Sequence, residues 1–300
     1  MTSIRAPAAG SEVAAPARVT LVALITAALF TVLFARPAAL LARDWWTNPE
    51  AGHGLLLAPV AIWLAWKQGL RKSFQPAPLL GGLLLLFAVL VRATADLAAE
   101  LFTLRMSLVL AGIGVIVYYR GVRQVLAWWL PLVLLTLSIP LPELVTSALA
   151  LPLQFKASAL GTKLLEWRQV PVRLSGNIIE IPGHQLFVTE ACSGLRSLNA
   201  LLALSVLMGG LWLNRVLPRV LLVLVAIPIA ILINGVRVFL TGFLVYFVDP
   251  KLGEGFMHVT EGWLLFLVSL LLTSLAALAI RFMERAWQRR RAPMSPDAGR

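Results

Sequence analysis

Long apolar runs, separated by short polar or basic stretches, set the pattern of this chain. They fall at 19–41, 54–67, 77–95, 104–119, 124–141, 193–213, 219–247 and 262–283. Most approach the roughly 20 residues a helix needs to cross a hydrocarbon core about 30 Å thick. Lipid cannot satisfy open backbone groups, and no run alternates at the two-residue period of a barrel strand. Each run therefore predicts a transmembrane helix. The second is short and holds Pro59, and the fourth has room to begin near Leu97, with Glu100 and Arg105 in its first turns. The seventh is too long for one straight span, so its turns beyond Asn234 are expected to break or tilt.

One stretch departs from this pattern. Residues 143–168 mix Lys156, Lys163 and Glu166 with apolar residues. A helix lying in the interface fits them better than a ninth span, which would invert everything after it. Residues 172–190 then alternate and are β-branched, with Gly176–Asn177 and Pro182–Gly183 as turn signals. Two or three short strands, or a β-hairpin, are expected to deliver the chain to Cys192. The first run follows Arg18 and lacks a small-residue cleavage site, so it reads as a retained anchor. The expected organisation is a disordered tail over 1–17, a transmembrane domain over 18–285 and a basic tail over 286–300.

Composition strengthens this reading. The 300 residues are 59% hydrophobic and 13% charged, too little polar surface to cover a water-exposed globule. The net charge of +12 suggests nucleic acid until the charges are placed. With the N-terminus inside, the two tails and 67–76, 120–123 and 214–219 hold 15 of the 26 basic residues but 3 of the 14 acidic ones. The rest of the chain balances at 11 of each. The whole surplus sits on one side, as the positive-inside rule requires of a membrane protein, and nucleic acid is not an expected partner. The basic cluster Arg289–Arg291 reads as a topology anchor beside lipid phosphates. The predicted fold class is thus an all-α polytopic membrane protein of about eight transmembrane helices. Both termini are cytoplasmic, and the amphipathic helix and hairpin lie outside, between helices five and six.

Reactive side chains gather on the outer side of this topology. Cys192, the single cysteine, opens the sixth helix, where unpaired N–H groups and the helix dipole stabilise a thiolate. Arg196, four residues on, adds positive charge on the same face, and Glu190 opposes it. Arg237 lies within or at the outer end of the seventh helix, with Asn234 three residues before it on the same face. A guanidinium there reads as an oxyanion stabiliser, a carboxylate clamp, or a side chain snorkelling to headgroups. The three histidines, His53, His184 and His258, all fall outside. His258 lies just before the eighth helix, His184 in a turn and His53 at the start of the second helix; spacing does not choose among them. No pair has metal-ligand spacing, and no GxSxG or phosphate loop occurs, so neither a metal nor a cofactor is expected.

Taken together, ACSGLRSLNALLALS around Cys192, the N-x-x-R of Asn234–Arg237, and His258 followed by Glu261-Gly262-Trp263 resemble the exosortase/archaeosortase family. His53–Gly54 before an apolar run and the NIIEIP strand agree with it, over roughly residues 50–280. The resemblance implies a sortase-like cysteine transpeptidase or protease in which Cys192 is the nucleophile, Arg237 stabilises the tetrahedral intermediate and His258 is the general acid or base. Its implied partners are exported, membrane-anchored proteins ending in a Pro-Glu-Pro-type motif, one transmembrane helix and a basic cluster, processed at the outer face of a bacterial inner membrane. It departs from the family in having Gly52 before His53, where Ser is frequent, and in lacking the soluble domain some relatives carry after the helices. Two rivals are a transporter or assembly subunit of an envelope-polysaccharide system and a membrane metalloprotease. Polar residues at the outer end instead of mid-membrane argue against the first, and the missing ligand spacing against the second.

Overall fold

A computed structural model describes residues 15–72, 75–188, 195–250 and 255–291, with backbone alone at 15–20, 22, 255–261, 290 and 291. Glu190 and Cys192 lie outside the described residues. The elements run α1 (Ala15–Thr47), α2 (Gly54–Gln68), α3 (Pro78–Leu97), α4 (Leu101–Arg120), α5 (Val122–Ala127), α6 (Trp129–Leu137) and α7 (Glu143–Trp167). They continue as β1 (Arg173–Ser175), β2 (Ile178–Ile181), β3 (His184–Phe187), α8 (Leu195–Trp212), α9 (Val216–Phe247) and α10 (Gly255–Arg291). Six of these helices, α1, α3, α4, α8, α9 and α10, are long and apolar enough to cross a membrane. The chain is a multi-pass membrane protein.

The expected count of eight spans is not reached on length. The second run folds as α2, only 15 residues long. The fifth run, expected as one helix over 124–141, splits into α5 and α6 at Trp128, whose φ of −92° and ψ of 23° leave the helical region. Pro131 accounts for this. Lacking an N–H, it cannot bond back to the carbonyl of Ala127 four residues earlier, and its ring crowds that carbonyl. Side chains at the break hold the segment that follows α2: the Trp128 indole N–H donates to the Gly69 carbonyl at 3.1 Å, and the Gln124 side-chain carbonyl accepts from the Arg71 backbone N–H at 2.9 Å. The seventh run, expected to break or tilt beyond Asn234, does not break: it is the continuous 32-residue α9 despite Pro228.

A helix forms at the expected place as α7, but it is not amphipathic as expected: Gln154, Ser158 and Thr162 are buried, while Leu144, Leu151 and Phe155 are exposed. Instead of lying in the interface it packs along the C-terminal half of the membrane-length helix α9, Leu160 against Gly235, Gly161 against Val238 and Leu165 against Gly242. Residue numbers rise together along both helices, so the packed stretches run in the same direction. A methyl group at Gly161 or Gly235 would overlap its neighbour, at 2.5 Å from Val238 Cγ1 and 2.3 Å from Leu160 Cδ2. Small residues let two backbones approach closely where apolar burial alone gives helices little reason to associate.

The strands form a three-stranded antiparallel sheet in the order β1-β2-β3, one strand more than a hairpin. Both turns fall at the expected glycines, Gly176 at φ 65° and Gly183 at φ 81°. Ile179, Ile181 and Val188 of this region close a core with Ala157 and Leu165 of α7 and Val238 and Val245 of α9. The sheet is thereby fixed over the C-terminal ends of α7 and α9. A second core joins α2, α6 and α8 through Leu57, Ala61, Leu64, Leu130, Leu134 and Ala203. On the other side, Arg105 of α4 pairs with Asp44 of α1, and Arg36 of α1 with Asp96 beside them on α3. Glu100 caps α4, its carboxylate accepting from the Phe102 and Thr103 backbone N–H groups at 3.0 and 2.7 Å.

Candidate active site

α8 and α9 form an antiparallel pair, with Gly209 beside Arg219 and Leu201 in one core with Ala226 and Ala230. Continuing that register brings the beginning of α8 to the level of Asn234 on α9. Leu195, the first residue of α8, is buried, and Cys192 precedes it by three residues. Arg196 is exposed. Along α9, Arg237 lies 18 residues beyond Arg219, a rise of about 27 Å. That separation is close to the thickness of a hydrocarbon core.

Asn234 is buried, at 6% exposure, and Arg237 is half-buried one turn further on. The Arg237 side chain turns toward α10. A methyl placed at Gly262 would sit 3.2 Å from its Nη2, 3.4 Å from Cζ and 3.7 Å from Nη1. The guanidinium therefore sits beside Gly262, where a side chain on α10 would crowd it. His258 stands four residues before Gly262 in the same helix, hence one turn away at nearly the same angular position. This differs from the expectation that His258 precedes the eighth helix: α10 opens at Gly255, and His258 falls in its first turns.

Gly262 was not singled out by its chemistry in the sequence. The signal was its place between Glu261 and Trp263, but which side chain needed the space is a property of packing between helices.

The other two histidines stand apart from this pair. His184 is not in a turn but is the first residue of β3, exposed and paired in register with Ile181. His53 precedes α2, and its Nε2 lies 3.1 Å from the carbonyl oxygen of Leu137 at the end of α6. Among the described residues, α2 packs chiefly on α6 and α1. Among the described residues, no three His, Cys, Asp or Glu side chains converge to hold a metal ion.

The arrangement offers a cation on α9 beside Gly262 of α10 and an imidazole-bearing position one turn before that glycine. In the sequence, Cys192 lies three residues before the start of α8. Comparison with known families matches residues 45–275 to the transmembrane exosortases. No curated protein and no solved structure matches the chain. The matched region takes in all of α9 and α10 as far as residue 275, with both Arg237 and Gly262, and the chain belongs to the transmembrane exosortase family.

Proposed function

We propose that this protein is a membrane-embedded cysteine transpeptidase or protease that cleaves the C-terminal sorting signal of exported proteins at the outer face of the bacterial inner membrane. The single observation that supports it most is the contact of the Arg237 guanidinium with Gly262, one helical turn from His258. A planar cation held in place beside a candidate acid–base group suits a reaction in which negative charge develops on a carbonyl oxygen.

In this reading the Cys192 thiolate attacks the scissile carbonyl carbon, and the oxygen of the tetrahedral intermediate is stabilised by the Arg237 guanidinium. The C–N bond breaks as His258 gives a proton to the leaving amine, leaving a thioester on Cys192. Water or an acceptor amine then attacks the thioester. His258 takes up its proton, and the thiolate leaves as it began. A substrate carrying its own transmembrane helix arrives already confined to two dimensions, with its cleavage motif at the depth of Arg237. Asn234, buried one turn below Arg237, and Arg196, at the head of α8, are the supporting polar groups, with Glu190 beside the nucleophile.

The test is an exported protein bearing a Pro-Glu-Pro-type C-terminal signal, with an epitope tag upstream of it, whose size is followed in cells making the enzyme. Wild type is expected to shorten it. Cys192→Ala, accumulating normally in the membrane, is expected to leave it intact, as are Arg237→Ala and His258→Ala. Equal processing by wild type and Cys192→Ala removes the nucleophile and with it the mechanism.

A further inference from the structure

The corner where α6 ends is held by side chains from two other helices. A helix leaves its last carbonyls without partners, and inside a membrane protein water is scarce to satisfy them. Here the Leu137 carbonyl meets His53 Nε2 at 3.1 Å, and the next carbonyl, of Ser138, accepts from the Trp45 indole N–H at 2.7 Å. A carbonyl only accepts, so Nε2 carries a proton in this contact; Nδ1 is buried. Gly54 completes the junction. A methyl there would stand 2.2 Å from the Trp45 Nε1, so glycine after the histidine is what lets the indole lie over the head of α2. Ser138 and Ile139 beneath are buried, and the chain passes through Pro140 and Pro142 into α7.

We infer that His53 is a positioning residue for the reaction, acting as the hydrogen-bond donor of a three-helix latch of Trp45, His53–Gly54 and Leu137–Ser138, and that it transfers no proton. The latch fixes α6 against α2, and these two helices form the bed on which α8 packs through Ala203. α8 in turn leads back to Cys192. From the same corner the chain enters α7, whose Leu160 and Gly161 flank Gly235 and Val238 around Arg237. Loosening the latch thus moves both walls of the candidate site without removing a reacting group.

The inference rests on the cysteine-transpeptidase reading only for its activity readout. His53→Gln keeps an N–H donor of similar reach but cannot titrate, whereas His53→Ala removes the donor. Processing of the tagged substrate is expected to slow about ten-fold or more in His53→Ala, at temperatures well below unfolding. His53→Gln is expected to recover most of that loss with the wild-type pH profile, and Trp45→Phe to slow processing in the same direction as His53→Ala. A His53→Gln variant that stays folded yet is as slow as His53→Ala, or that loses one limb of the pH profile, overturns the inference by making the imidazole a proton carrier. Thermal unfolding in detergent supplies the arm that does not need the reaction. His53→Ala and Trp45→Phe should lower the transition less than additively when combined, and His53→Gln should unfold near wild type. If wild type fails to process the substrate, the transpeptidase reading falls and this arm alone decides the latch. His53→Gln unfolding no higher than His53→Ala then overturns it.

Discussion

Substituting Gly262 separates the site from the fold, because the two respond with opposite signs. In a helix interior, alanine is favoured over glycine by about 0.5–1 kcal/mol, since it restricts the unfolded backbone and shields the helix. Gly262→Ala should therefore leave α10 as stable as before or slightly more so. The same methyl, however, would stand 3.2 Å from Nη2 and 3.4 Å from Cζ of Arg237. That is tighter than ordinary contact, and the guanidinium must retreat by a few tenths of an ångström. Gly262→Val adds carbons about 1.5 Å further out and forces a retreat of about 1 Å. Losing one well-placed oxyanion donor lowers kcat by about 10²- to 10³-fold, and a 1 Å misplacement of a reacting group by about 10²-fold. The expected series is a loss of a few-fold for Ala and about a hundred-fold for Val. The assay is the rate of processing of the tagged substrate in isolated membranes, normalised to enzyme content, beside thermal unfolding of the same variants in detergent. Refutation takes either of two forms. Both variants process at the wild-type rate while Arg237→Ala is inactive, or activity falls only in step with unfolding temperature.

Three further predictions concern the frame. Arg105 is 7% exposed and paired with Asp44, so Arg105→Ala strands a largely buried carboxylate and should destabilise the protein by about 3 kcal/mol; Asp44→Asn added to it should recover part of that in the same unfolding measurement. Buried Glu284 accepts from the Asn214 and Arg215 backbone N–H groups at 3.3 and 3.0 Å where the chain enters α9, and Glu284→Ala should cost about 1–2 kcal/mol and leave the orientation of the spans unchanged by accessibility labelling. Burial opposes the charge on Glu100, but hydrogen bonds from the Thr103 side chain and from the Thr103 and Phe102 backbone, with the Arg105 charge, outweigh it and hold its carboxyl below the ordinary glutamate value of 4.5. With the folded value depressed, its contribution is complete above that value and fades as pH falls through the folded one, so wild type should lose stability on acidification by more than Glu100→Gln does.

Hydropathy alone was enough to find six membrane-length helices, and the turn glycines Gly176 and Gly183 enough to find the sheet. Both signals are local: a run of apolar residues, or a residue that tolerates positive φ. The split at Trp128 was also local, carried by Pro131, but six apolar neighbours masked it. What the sequence did not disclose was how helices choose one another. Residues 143–168 read as amphipathic, and nothing in their own spacing said that Gly161 faced Val238 or that Gly235 received Leu160. The candidate site divides in the same way. Arg237 announced itself by being a charge in an apolar run, whereas Gly262 and the partner of His53 are defined by contacts between segments far apart in the chain. The order of Cys192, Arg237 and His258 was visible; the seat of the guanidinium on α10 was not.

The unbroken course of α9 carries a consequence for the lipid around it. Thirty-two residues make a rod about 48 Å long, against a hydrocarbon thickness of about 30 Å. Such a rod leans, or stands proud of the headgroups, and the balance between the two follows the acyl-chain length of the host bilayer. Arg237 and the Gly262 it rests on ride the upper part of that rod. In short-chain lipid they rise into water, and in long-chain lipid they sink toward the oil. The height of the Arg237–Gly262 corner is then a property shared between protein and bilayer. In the proposed reaction, a substrate whose own membrane helix is matched to the same thickness would present its peptide bond at the right level without any contact dedicated to measuring it.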